Sequence, residues 1–278
     1  GNNDSIQFWP SDTFTITEGP LFKITGNNNI FDNAVKLFTA NTGSVVIIEG
    51  NGNVIGGASA HTQTPSYSMT GSADADVVLI EGNNNRIAGT VLQKGKTGIH
   101  IKGGSNNLIL RCRLITNQDG IRIDEGAKEN EVTDCTSGFL FENREPPTPF
   151  PNSRHGIVIA GGAQNNRVIL NGVGGNGGTG ILLTGVNTRN NECLRNRVGT
   201  KQGNFSRAGE IGPNKEHGYK IEAQASNNQI RGGEITENVG HGLLITGVGT
   251  SGNIIGEERS EGIEIDKPDS SGDAVRIE

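Results

Sequence analysis

The chain has 278 residues and a formal net charge of −6, and it holds 43 glycines against one Trp, two Tyr and one Met. The glycines follow no three-residue period, which excludes a collagen, and the regular recurrence of β-branched residues at modest charge argues against disorder. An acidic balance offers no basic surface to nucleic acid, and no run of 18 apolar residues is present to span a membrane.

In chain order, residues 1–19 come first, with Phe8, Trp9 and Phe14 as an apolar cap over one end of the repeat region. A short phrase then repeats. Three-residue alternating strands are predicted at 46–48, 78–80, 99–101, 121–123, 157–159, 181–183, 219–221, 243–245 and 263–265. Their anchors, the residues just before them (Val45, Val77, Gly98, Gly120, Gly156, Gly180, Gly218, Gly242 and Gly262), lie 32, 21, 22, 36, 24, 38, 24 and 20 residues apart. Each strand leads into a Gly/Asn-rich turn closing on Asn53, Asn85, Asn107, Asn130, Asn166, Asn191, Asn228 or Asn253. Two residues on sits another inward candidate, as at Ile87, Ile109, Val132 and Cys193, and a third strand is marked by Leu92, Leu114, Val173, Val198 and Ile235.

Period-2 alternation over three short strands per repeat, with no helical spacing, cannot bury its own aliphatics within one turn of chain. Stacked at strand spacing, the repeats build one apolar column. The expected fold is therefore all-β: a single-stranded parallel β-helix of about ten coils, roughly 45 Å long at about 4.8 Å per coil. Gly and Asn recur because the corners need positive φ, and stacked Asn side chains can hydrogen-bond along the axis. One domain over 1–278 is predicted, with a cap or entry coil at 1–19, coils at 20–266, and a second cap or the limit of a longer array at 267–278.

The phrases "NNxI…N…GI.I", "NVIGG" and "NIIG", with the opening "FTITEGPLFKITGNNNIF", resemble the right-handed parallel β-helix repeat superfamily, the pectate-lyase-like and NosD-like repeats of bacterial secreted and surface proteins. The resemblance covers about residues 13–266 and speaks to fold more than to activity, because that group holds lyases, hydrolases, epimerases, adhesins and phage tailspikes. It implies a secreted or cell-surface protein whose partner is a polysaccharide or surface glycan, bound along the first-strand face beside long loops. A tailspike-like member would be a trimer touching along Ile47, Leu79, Val158, Leu182 and Leu244; otherwise a monomer is expected. No complete polygalacturonase or mannuronan epimerase signature is present.

In the first strand the residues between the aliphatics point outward. Charge gathers there on a few coils: Glu49, Glu81, Lys102 and Asp124 fall in one column, with His100 and Arg122 beside it. Glu49 and Glu81 on neighbouring coils would raise one carboxyl's pKa, as a glycosidase acid requires; that close pair would suit a retaining enzyme, and Glu81 with Asp124, two coils apart, an inverting one. Alternatively Lys102 and Arg122 neutralise a uronate while His100 or Lys102 removes its α-proton, with Glu49, Glu81 or Asp124 offering oxygen ligands to Ca²⁺. A solvated ladder of opposite charges fits the same column.

Three long segments, 58–75, 142–154 and 200–216, are expected at one corner, after the third strand, where they would wall this face. They carry scarce aromatics. Tyr67, Arg144, Phe150, Arg154 and Phe205, with Glu49, are the substrate-binding candidates; the catalytic candidates are Glu81, His100, Lys102, Arg122 and Asp124. Cys112 and Cys135 share a column that Asn171 and Asn196 continue, so a disulfide and two buried thiols are both open there. Cys193 belongs to the core. His155, His217 and His241 each precede an anchor glycine and read as turn residues; no metal site is expected of them or of the cysteines. Function stays between a polysaccharide lyase or hydrolase and a non-catalytic adhesin, binding or structural rod.

Overall fold

The computed structural model describes residues 1–7, 13–32, 36–56, 67–140, 148–199, 212–256, 264–265 and 273–278. Among them there is no helix, and hence none long and apolar enough to cross a membrane. The first strands of the coils form one ten-stranded parallel sheet, from Phe22–Ile24 at one end to Val275–Ile277 at the other. Second and third strands form a larger sheet that wraps the rest of the coil. The only antiparallel pair among the described strands is the short hairpin of Phe139–Leu140 with Thr148–Pro149.

Register follows the sequence pattern. Val78, Ile99, Ile121, Ile157, Ile181, Tyr219 and Leu243 stack in one inward column, and Ile80, Ile101, Ile123, Ile159, Leu183, Ile221 and Ile245 in the next. All are buried in one continuous core with the third-strand residues Leu92, Leu114, Val173, Val198 and Ile235. Burying each such side chain stabilises by roughly 1.5–3 kcal/mol. At the amino end the core turns aromatic, with the Phe22 ring 5.3 Å from that of Phe38 and 6.0 Å from that of Phe31.

Between the first and second strands the predicted asparagine column is a ladder. Each buried Asn Oδ1 accepts the backbone N–H of the Asn one coil back, from Asn53 to Asn29 at 2.9 Å through to Asn253 and Asn228 at 2.9 Å. The residue before it takes positive φ, as at Asn84, Asn106, Asn165 and Asn190, all at 57°. A second column runs from Cys112 and Cys135 to Asn171 and Asn196, with the Cys135 amide donating to Asn171 Oδ1 at 2.9 Å. The three cysteines are free and buried, and burial pushes the Cys193 thiol up to about 12. A third ladder, not foreseen, joins Asn117, Asn152, Asn176, Asn214 and Asn238 at the corner that leads back to the first strand.

Four expectations are corrected. Residues 1–19 do not simply cover the end: Ser5–Gln7 pairs in parallel with Ile30–Asp32, and Thr13–Glu18 with Lys36–Thr42. Trp9 and Phe8 lie outside the described residues. The strand predicted at 263–265 is a third strand, because Ile265 pairs with Ile235, and the first strand of that last coil is Val275–Ile277, paired with Leu243–Ile245. Of the segment 58–75, residues 58–66 lie outside the described residues, and the remainder opens on a third strand, Tyr67–Thr70, paired between Lys36–Thr42 and Thr90–Gln93. Finally, Val158, Leu182 and Leu244 are outward yet buried, the first two with Ala160 in a small cluster, so they present no open apolar face.

Candidate functional site

The outward register of the first-strand sheet places His100 between Leu79 and Arg122, and Lys102 beside Asp124. The side chains then depart from a simple ladder. His100 donates from Nδ1 to Asp76 Oδ2 and from Nε2 to Asp124 Oδ1, both at 2.7 Å. Asp76 stands just before the Val78–Ile80 strand, and Asp124 ends the strand Asp119–Asp124, so the imidazole joins three successive coils. The other Asp124 oxygen, Oδ2, accepts from Arg122 Nε at 2.5 Å. Arg122 Nη1 lies 3.7 Å from Asp119 Oδ2, and Arg154 Nε lies 3.8 Å from Asp119 Oδ1, which also accepts the His155 amide at 3.2 Å. One network therefore runs Asp76, His100, Asp124, Arg122, Asp119, Arg154.

The acids and the histidine of this network are largely buried. The side chains of Asp76, His100 and Asp124 are 13%, 14% and 11% exposed and that of Asp119 is 4% exposed, whereas Arg122 and Arg154 reach 30% and 54%. Burial alone would depress the imidazole, but the two carboxylate hydrogen bonds and charges outweigh it and push His100 up to about 9. For Asp76 and Asp124 burial acts to raise the pKa. The hydrogen bond and charge of His100, joined at Asp124 by Arg122, win and hold both below the usual carboxylate range. At neutral pH the centre is an imidazolium clasped by two carboxylates.

That state decides what each candidate can do. His100 has both nitrogens committed as donors and is no general base at neutral pH. Asp124 is ionised and twice hydrogen-bonded, so it cannot supply the protonated carboxyl of a glycosidase pair. Glu49 and Glu81 are each met by lysine instead of by one another: Lys23 Nζ is 2.7 Å from Glu49, and Lys102 Nζ is 3.8 Å from Glu81 and 3.7 Å from Glu125. The carboxylates expected as calcium ligands thus do not converge, and among the described residues no group of three His, Cys, Asp or Glu side chains is placed to hold a metal ion.

Of the substrate-binding candidates whose side chains are described, only Arg154 joins the network. Phe150 is 36% exposed, on the stretch after the hairpin, its amide donating to Gly138 and its carbonyl accepting from Thr116. Tyr67 belongs to a strand and not to a projecting loop. Arg144 and Phe205 lie outside the described residues. Asp76 and Asp119 were missed. Both occupy the position before the first-strand anchor, the column in which the sequence had singled out only His155, His217 and His241, and a buried acid there was the available signal.

The model of the right-handed β-helix region matches residues 6–198, more than half of the chain. No curated protein matches it in sequence. Among solved structures, a point mutant of the periplasmic alginate epimerase AlgG superposes with a TM-score of 0.50 at 12% identity, over 96% of this chain and 69% of that one. The alginate lyase from Paenibacillus sp. str. FPU-7 gives 0.42 at 11% identity, over 91% and 97%. The A-module of Azotobacter vinelandii mannuronan C-5 epimerase AlgE4 gives 0.40 at 10%, over 100% and 87%. At such identities the likeness is one of fold. With three strands per coil, parallel register throughout the stack and the family match over residues 6–198, the chain belongs to the right-handed β-helix family.

Proposed function

We propose that this is a secreted or cell-surface protein that binds an acidic polysaccharide on its first-strand face, with Arg122 and Arg154 as the carboxylate-reading groups. The observation that carries the reading is the shared buried Asp119, which holds both guanidiniums at 3.7 and 3.8 Å from its oxygens. A guanidinium has five N–H donors in a fixed fork. Asp119 and Asp124 are the ion-pair partners of Arg122 among the described residues, and Asp119 that of Arg154, so donors on each fork remain for a ligand. Two preorganised forks on adjacent coils suit the repeating carboxylates of a polyuronate. Acting on alginate, as the epimerase of similar fold is named for, is consistent with that ligand class.

Binding is favoured over hydrolysis because Asp124, the carboxylate hydrogen-bonded to the Arg122 fork, is held ionised by His100 and Arg122. Elimination keeps one candidate base, Lys102, on the same face. The test is retention on immobilised alginate, pectate and a neutral glucan, with product followed by unsaturated-product absorbance and reducing ends. Arg122→Ala and Arg154→Ala should each weaken retention on the acidic glycans about tenfold, the worth of a charge-assisted hydrogen bond, while Arg167→Ala on another face leaves it unchanged. Retention indifferent to both arginines would overturn the proposal. Product that disappears with Lys102→Ala would make the face a lyase site.

A further inference from the structure

The corner that feeds the first strand carries a second row of titratable groups outside this site. His155, His217 and His241 are half-buried there. Each Nδ1 accepts a backbone N–H from the next coil: Thr179 on His155 at 3.0 Å, His241 on His217 at 2.9 Å, and Asp273 on His241 at 2.8 Å. The sequence makes room for these bonds. A Cβ at Gly178 would come 2.8 Å from His155 Nδ1, and one at Gly240 would come 2.7 Å from His217 Nδ1. The rings of His217 and His241 stack at 5.2 Å and 2°.

We propose that this histidine row is an acid-sensitive latch: it fastens the carboxy-terminal coils to one another while the imidazoles are neutral, and loosens them when the imidazoles take up protons. An Nδ1 that accepts a backbone N–H requires the proton on Nε2. Adding the second proton converts the acceptor to a donor, which breaks the inter-coil bond and takes from the facing amide its partner, a buried residue's amide at Thr179. In the stacked pair it also sets two cations face to face.

The surrounding charges are mixed. Asp119 and Glu216 face His155, with Arg154 opposing them; His217 meets His241, Lys220, Glu216 and Glu222. His241 has Asp273 at 3.9 Å, itself paired with Arg276, and Glu278 within electrostatic reach. For His155 burial is the largest influence and lowers the pKa, and for His217 burial and the neighbouring His241 do the same. With the folded values of His155 and His217 below the ordinary 6.5, the unfolded state binds more protons at these two. The latch's contribution is therefore full above pH 6.5 and declines as pH falls through the folded values.

Amide hydrogen exchange at pH 7.5 and 5.0, corrected for intrinsic rate, reads the latch directly. Protection at Thr179 and His241, the amides held by His155 and His217, should fall by about tenfold per pH unit below the imidazole titration, while the asparagine-ladder amides of Asn166 and Asn191 hold. His217→Asn keeps a short acceptor but cannot titrate, so the His241 amide should lose its pH dependence while Thr179 keeps it. Equal protection at both pH values, or loss spread evenly over all coils, overturns the proposal. Should the variant not fold, the ¹⁵N shifts of the wild-type imidazoles decide: a protonated Nδ1 at pH 7.5 would sink it.

Discussion

Replacing Asp76 by Asn removes one jaw of the clasp around His100 while keeping its shape. The interval between an ordinary histidine at 6.5 and a folded value of about 9 corresponds to about 3 kcal/mol at 1.36 kcal/mol per pH unit. Little of this is screened, because the imidazole is only 14% exposed. A raised histidine stabilises fully below its unfolded pKa and loses that contribution as pH rises through the folded one. The depressed carboxylates work from the other side: their share is present above about 3.9 and is lost as pH falls through their folded values. The clasp is thus at full strength between about pH 4 and 6.5 and is gone above about 9. Asp76→Asn should cost about 2 kcal/mol in urea unfolding at pH 6, where the buried imidazolium keeps only Asp124 as a charged partner, and much less at pH 9.5. The same variant should lower the His100 titration, followed by its ring proton shifts, by at least one pH unit. A His100 that titrates near 6.5 in the parent protein, or a variant equally destabilised at both pH values, refutes the ion-clasp account.

Two further outcomes test the frame that carries the site. Asn166→Ala removes a rung whose Oδ1 accepts from the Asn130 amide and side chain at 2.9 Å each and whose Nδ2 donates to Ala127 and Asn191; the orphaned buried partners should cost about 1–3 kcal/mol, measured by chemical denaturation, and a neutral result would mean the ladder is ornamental. The three buried thiols should resist a thiol reagent in the folded protein and all react on unfolding; fewer than three reactive thiols after unfolding without reductant would reveal a disulfide.

The repeat, the inward columns and the main asparagine ladder were legible in the sequence because each is enforced at every coil, so a position's neighbours repeat its evidence. The failures fall where that redundancy stops. Ile263-Glu-Ile265 and Val275-Arg-Ile277 alternate identically, and period 2 states only that a strand has one face inward, not which of the three strand positions in the coil it fills. Pairing of Ile265 with Ile235 and of Ile277 with Ile245 settles it. Tyr67 likewise reads as loop in the sequence because the Tyr67–Thr70 strand presents a single buried landmark, Met69, amid polar residues. At the site, register predicted which backbones were adjacent but not where long side chains would reach. Lys102 and Asp124 are register partners, yet Asp124 turns to His100 and Arg122 while Lys102 bridges Glu81 and Glu125.

The misreading of Asp124 also shows why the corner column matters to function. A parallel β-helix offers the outward first-strand positions as a flat strip, on which stacked charges mostly neutralise one another in solvent. Groups at the adjoining corner are less exposed, and they can approach the strip from the side. Asp76 and Asp119 do so: one fixes the charge on His100, the other fixes the direction of two arginines. Without them the strip would be a ladder of half-screened ion pairs like Lys23 with Glu49. With them, part of the strip has a charge pattern held against pH and thermal motion before any ligand arrives. Preorganisation of that kind lowers the entropy lost on binding a flexible chain. On the proposed reading, polysaccharide binding would depend on the corner acids as much as on the outward residues they hold.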